Sequence, residues 1–253
     1  GSYSSYDVNG DVVNSKTAVS DYRTYNGVVR PGGSQGFPGY SVDNEVDRNR
    51  SNFSVYLDTE IDFSAKFMIG AALRLEYYTD FGSTLNYKLA TRYKITKKIN
   101  LRGSFSTGFR APSLAQNYYN LAFTNFIGNT PTESLLVANN SSVARMFNID
   151  ELKEEKSINF SLGLTAKVSP TFNVTLDGYY AAIKDRIILS GNFEASDLEL
   201  GIDNVQFFAN GVDTKTTGVD LVLNWSNKMG NSELSFDFSG NINHMTIAAI
   251  NNK

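Results

Sequence analysis

From residue 50 onward the chain alternates apolar and polar positions with a period of two. Phe53, Val55, Leu57, Thr59 and Ile61 share one side, and Ser54, Tyr56, Asp58, Glu60 and Asp62 share the other, as successive side chains do along a strand. Beyond Ser64-Ala65, Phe67, Ile69, Ala71, Leu73, Leu75 and Tyr77 oppose Gly70, Ala72, Arg74, Glu76 and Tyr78. Leu85, Tyr87, Leu89, Tyr93 and Ile95 then oppose Asn86, Lys88, Arg92 and Lys94, and Ile99, Leu101 and Phe105 oppose Asn100, Arg102, Ser104 and Ser106. The alternation resumes at Ser157 and predicts strands over 157–168 and 172–189. A short strand over 205–209 precedes a turn signal at Asn210-Gly211, and a last hairpin is expected over 218–225 and 233–244 around Asn227-Lys228-Met229-Gly230.

The spacing of these strands carries more than their number. Connections near 64, 97, 170 and 228 read as short, and those near 80, 110–150, 191–203 and 210–216 as longer. Sorting of loop length by parity is a property of outer-membrane barrels, with short turns on one side of the bilayer and long loops on the other. A sandwich has no reason to sort its loops this way. The strands also run to about ten residues or more, against about five to six in an average globular sheet. The expected fold is all-β, an antiparallel up-and-down meander of long strands. Residues 1–49 read as an irregular, loop-like segment with short strands at Val8, Val12-Val13 and Val28-Val29. Residues 50–253 read as a partial transmembrane β-barrel with long loops at 109–156 and 190–217. Within the first of these loops, 135–147 has weak helical spacing.

Composition narrows the chemistry. The 253 residues are 41% hydrophobic and 19% charged, which is not the balance of a disordered chain. A formal net charge of -3 gives no reason to expect nucleic acid as a partner. With no cysteine, neither a disulfide framework nor a thiolate metal site is possible. No run approaches the ~18 consecutive apolar residues of a membrane helix, a criterion to which barrel strands are invisible. No signal peptide is visible, and Gly1-Ser2 has the look of an expression remnant, so the natural N-terminus is expected to lie elsewhere. His244 is the single histidine, which removes histidine triads and clusters, and it is expected on the polar face of the last strand. Asp7-Val8-Asn9-Gly10-Asp11 has alternate oxygens, but its glycine and missing glutamate do not fit a calcium loop. No phosphate-binding glycine loop or serine elbow is present, so no enzyme and no cofactor is expected.

Several motifs, taken in order, carry a resemblance. Tyr78-Thr79-Asp80-Phe81-Gly82-Ser83-Thr84 is followed by the run from Gly103 to Gln116, in which alternation stops at Ala111-Pro112. Leu152-Lys153-Glu154-Glu155-Lys156-Ser157, Gly178-Tyr179-Tyr180, Ile183-Lys184-Asp185-Arg186-Ile187 and Thr216-Thr217-Gly218-Val219-Asp220-Leu221 come next, and Gly36-Phe37-Pro38-Gly39-Tyr40 precedes them all. Together they resemble the barrel of TonB-dependent outer-membrane receptors. Glu154 stands where the family often has proline. The resemblance implies a fragment of a roughly 22-stranded transmembrane β-barrel closed around a plug domain. It also implies import of a scarce nutrient such as a ferric siderophore, haem or cobalamin, driven by TonB. The implied partners are outer-membrane lipid, the plug domain of the same parent chain, the TonB complex acting through that plug, and a small-molecule or metal-chelate ligand.

In that setting Arg74, Glu76, Arg92, Arg102 and Lys167 are expected to line the lumen. Ligand contacts are expected in the long loops, from Arg110 at the rim, Tyr118, Tyr119, Phe123, Phe126 and Arg145 in the first, and Asn192 and Phe193 in the second. Tyr77, Tyr78, Tyr87, Tyr93, Tyr179, Tyr180 and Trp225 suit an aromatic girdle. Read from residues alone, a passive porin-like or adhesin barrel and a soluble β-sandwich binding module remain open.

Overall fold

The computed structural model describes residues 2–8, 24–25, 28–29, 44–127, 130–195 and 202–251. In chain order the strands are β1 (Ser2–Val8), β2 (Thr24–Tyr25), β3 (Val28–Val29), β4 (Val46–Asp62), β5 (Phe67–Tyr78), β6 (Gly82–Lys94), β7 (Ile99–Arg110), β8 (Leu121–Ile127), β9 (Thr130–Leu136), β10 (Glu155–Lys167), β11 (Phe172–Leu189), β12 (Phe193–Glu194), β13 (Asn204–Gln206), β14 (Phe208–Met229) and β15 (Ser232–Ile250). Nine of them form one sheet in the order β1-β4-β5-β6-β7-β10-β11-β14-β15. Every pairing in it is antiparallel, so the large sheet is the expected meander. β8, β9, β12 and β13 form a second, smaller sheet.

Register aligns the apolar side chains into continuous rows. Leu89, Phe105, Phe160 and Tyr180 are successive partners across four strands, as are Leu101, Leu164, Leu176 and Leu221. No part of the described residues covers this face: Leu57 is 66% exposed, Phe236 64% and Ile242 83%. The buried apolar side chains among the described residues instead lie at one end of the sheet, from Leu114 and Val137 to Phe207 and Val212. A sandwich would have its core under these rows; here the rows are bare, as a lipid-facing wall requires. Near the short-turn end, Phe63, Phe67 and Tyr93 form one run of ring contacts and Trp225 meets Phe236 at 5.7 Å, an aromatic border to the apolar band. Tyr78 and Tyr179 do not join such a border. They lie on the opposite, polar face, where Tyr78 donates to Glu76 at 2.9 Å and Tyr179 accepts from Asn241 at 3.1 Å. His244 is corrected the other way, since it shares its side of β15 with Phe238 and Ile242.

The polar face is also organised in rows. Asp62, Met68, Arg92, Arg102, Gly163, Asp177, Asp220 and Asn241 are successive register partners. Arg102 reaches over the bare Cα of Gly163 to form a bidentate pair with Asp177, Nε to Oδ1 at 3.0 Å and Nη2 to Oδ2 at 2.5 Å. A Cβ on residue 163 would lie 1.8 Å from Asp177 Oδ1, so the pair and a side chain there exclude each other. Gly163→Ala is therefore expected to break the pair at a cost of about 1 kcal/mol. In denaturant unfolding, Asp177→Asn in the Gly163→Ala background should then cost almost nothing further. Additive losses would show that the two positions are independent.

Turns at one end are short, spanning 63–66, 95–98, 168–171 and 230–231, and Gly230 takes the left-handed conformation (φ +64°) that a two-residue hairpin needs at its first position. At the other end lie 79–81, 111–154 and 190–207. Several boundaries differ from the sequence reading. The connection near 80 is short, closed by the Arg50–Asp80 pair, with Arg50 over the stacked rings of Tyr78 and Phe81. β4 begins at Val46, and the last hairpin turns at 230–231 because Met229 still pairs with Ser232. Asn210-Gly211 is no turn; it lies inside β14, so 208–217 is strand and not loop. The segment 111–154 holds the β8–β9 hairpin and two one-turn helices, Leu114–Tyr118 and Ser142–Met146, so the helical spacing over 135–147 shrinks to its second half. Val8 ends β1 and Val28-Val29 forms β3, while Val12-Val13 lies outside the described residues.

Candidate ligand site at the loop end

The two long connections fold into one unit. β13, from the second loop, pairs in parallel with β9, from the first, joining Asn204, Val205 and Gln206 to Ser134, Leu135 and Leu136. Val137, Ala144, Ala195, Val205 and Phe207 form a core of their own. Its centre is a trio of rings, with Phe147 5.6 Å from both Phe193 and Phe207, and Phe193 5.7 Å from Phe207. The first loop enters this core because Ser141 caps the helix Ser142–Met146, its Oγ accepting from Ala144 N at 3.1 Å. Ser113 and Gln116 make a reciprocal capping box at the other short helix.

Two asparagine side chains fasten this unit to the sheet, and a glutamate ties the rim strands beside it. Asn139, 1% exposed, donates to Asp150 O at 3.0 Å and Phe208 O at 2.9 Å, and accepts from Leu152 N at 3.1 Å. Asn210 accepts from Lys153 N at 2.9 Å and donates to Lys153 O at 3.1 Å and Asp185 O at 2.6 Å. Asp185 has φ 55° and sits where the β11–β14 register shifts; its N–H donates to Asp213 Oδ1 at 2.9 Å. Glu155, at the start of β10, accepts from Arg110 on β7 and from Ile187 N on β11 at 2.8 Å, tying three strands at the rim.

Between the 148–153 segment and the loop-end tips of β11, β14 and β15 lies a cavity of about 560 Å³. Ile188, Leu189, Phe193 and Ile250 give it an apolar lining; Asn148, Lys153 and Asp185 give it polar groups. That volume falls in the range of small-molecule sites, about 300–1,000 Å³.

The expected site residues are distributed unevenly around this unit. Phe193 belongs both to the ring trio and to the cavity wall, while Asn192 is exposed and outside it. Arg145 bonds to Ile149 O at 2.7 Å and pairs with Glu151 at 2.8 Å. Arg110 is engaged by Glu155. Tyr118 has the Arg48 guanidinium 5.3 Å over its ring, and Tyr119 caps the same helix through its N–H to Ala115 O. Phe123 is half-buried in β8; Phe126 is in β8, but its side chain lies outside the described residues. On the polar face Arg74 pairs with the buried Glu76 at 2.6 Å and Arg102 with Asp177, whereas no ion pair among the described residues involves Arg92 or Lys167. Asn139, Lys153, Asp185 and Asn210 escape sequence reasoning as site residues; Lys153 and Asp185 stand within recognised motifs, Asn210 carries the local signal of a turn, and nothing local marks Asn139.

A wide antiparallel sheet with a bare apolar face, short turns at one end and folded loops at the other is a section of an outer-membrane-type barrel wall. Residues 2–252 match the family described as TonB dependent receptor-like, beta-barrel, and the chain belongs to that family. Among solved structures it is similar to the siderophore receptor PirA from Acinetobacter baumannii, at 18% identity over 83% of this chain and 29% of that one, with a TM-score of 0.59. It is similar to the ferric enterobactin receptor PfeA from Pseudomonas aeruginosa, at 17% identity over 84% and 30%, TM-score 0.61. It is also similar to the RagAB peptide transporter, at 18% identity over 81% and 23%, TM-score 0.58. The chain therefore spans under a third of the length of these proteins, and the likeness is one of fold. No curated protein sequence matches it.

Proposed function

We propose that this chain forms one section of the wall of a closed outer-membrane barrel that captures a scarce nutrient at its loop end and imports it by TonB-driven work on a plug domain. The observation that carries this reading is the pairing of a bare apolar wall with two loops folded into a single unit over a cavity, a larger investment in loop structure than a passive pore needs. On this reading the short turns face the periplasm. The inner wall contacts the plug through Arg74, Glu76, Arg92, Arg102 and Lys167, charged groups suited to short hydrogen bonds with a polar partner. The ligand is a small molecule or metal chelate, with ferric siderophores, haem and cobalamin as the classes to test beside peptides. The barrel itself supplies binding and passage, not catalysis.

The test is growth and uptake in a strain lacking the gene. Loss of uptake of one labelled nutrient, restored by the intact gene and abolished by a protonophore, is the expected outcome. Uptake that persists in the protonophore would replace this reading with a passive pore.

A further inference from the structure

The cavity at the loop end has a charge pattern that narrows its ligand, an inference that rests on the receptor reading above. Glu151, on its wall, is paired with Arg145, and the lining also carries Asp185 and Lys153. There is no cationic surplus. A ferric catecholate, which carries several negative charges, would meet one ammonium with a carboxylate beside it, and like charges in a partly dry site repel.

What the wall does offer is one group of each sign, held close together. Asn210 bonds the backbone of Lys153 on both its N–H and C=O and the C=O of Asp185 with the same side chain. The two residues are thus anchored to one amide. Their side chains do not pair with each other, and no ion pair among the described residues engages either. Beside them Ile188, Leu189, Phe193 and Ile250 supply the apolar surface. The left-handed backbone of Asp185 and the fixed backbone of Lys153 keep the two charges on ordered chain, so little ordering remains for a ligand to impose.

We propose that this cavity binds a short zwitterionic peptide with apolar side chains, its terminal ammonium at Asp185 and its terminal carboxylate at Lys153. The volume suits a peptide of a few residues, and the apolar lining supplies the burial that two exposed charges alone do not.

The experiment titrates the full-length receptor in detergent with the tripeptide Leu-Ala-Leu, with its N-acetylated and C-amidated forms, and with a ferric tris-catecholate. Leu-Ala-Leu should bind saturably, and each blocked form about tenfold more weakly. Asp185→Asn keeps a residue that tolerates the left-handed conformation. It should weaken the free tripeptide about tenfold and leave the N-acetylated form unchanged; Lys153→Gln should do the same with respect to the C-amidated form. Retained heat-modifiable gel migration of both variants establishes that they are folded. Binding of the tris-catecholate without binding of the peptide would overturn the peptide assignment and leave the receptor reading standing. Equal binding of free and blocked peptides would also overturn it. The receptor reading itself fails on the separate uptake assay, if no nutrient is taken up in an energy-dependent way.

Discussion

Phe207→Ala is expected to separate the two long loops while leaving the sheet intact. Phe207 is fully buried between β13 and β14, and its ring meets Phe147 from the first loop and Phe193 from the second. Its backbone is held independently, with its N–H donating to Ser190 Oγ at 3.0 Å and its C=O accepting from Ser190 N at 2.8 Å. Truncation thus removes ring contacts and not the local chain path. Phe-to-Ala changes in a core cost about 3–5 kcal/mol. Among the described residues this core has five buried apolar members, so such a loss exceeds what it can absorb by collapse. The parallel pairing of β9 with β13 spans three residue pairs and packs on this core through Leu135 and Val205. Hydrogen exchange on the receptor in lipid nanodiscs should show protection lost over 130–149, 190–195 and 202–206 and retained over β5, β6, β7 and β10. Phe207→Leu, which keeps most of the volume, should cost about 1.5 kcal/mol or less and retain the loop protection. Unchanged exchange in the alanine variant would show that the loops are held by something other than this core.

The contrast between wall and loops explains what was readable in the residues. β5, β6, β7 and β10 each separate an apolar environment from a polar one, so their sequences alternate over most of their length, and the register aligns that alternation from strand to strand. β14 is different in its first half. There Val212 and Thr214 are buried, and no clean inside and outside exists to impose a period of two. Asn210-Gly211 has the composition of a turn, but its asparagine is used to clamp Lys153 and Asp185, a role that composition does not encode. The loop sheet was invisible for another reason. Glu133 N bonds to Asp203 Oδ2 from a residue seventy positions away, and a parallel pairing of such short strands has no local signature. Phe193 was legible as a loop aromatic, but its double place in the ring trio and the cavity wall depends on that distant pairing.

Glu155 and Arg110 face each other across β7 and β10, and truncating them is expected to have unequal effects. Glu155 is 7% exposed and its carboxylate also accepts the N–H of Ile187, itself buried. The Arg110 side chain is 51% exposed, so it can be solvated when alone. Glu155→Ala therefore leaves a buried backbone donor without a partner at the point where the β11–β14 register shifts, a loss of about 2–3 kcal/mol. Arg110→Ala removes only the half-exposed partner, at about 1 kcal/mol or less. Glu155→Gln keeps an acceptor for Ile187 and should fall between the two. Exchange at the Ile187 amide reports this directly: fast in Glu155→Ala, slow in Arg110→Ala. The same pair of variants separates two roles for Arg110 at the rim. If its work is to neutralise Glu155, Arg110→Ala leaves ligand affinity unchanged and its small stability loss vanishes in the Glu155→Ala background. A loss of ligand affinity in Arg110→Ala that survives in that background would instead place the guanidinium in the binding site, with Glu155 serving to aim it.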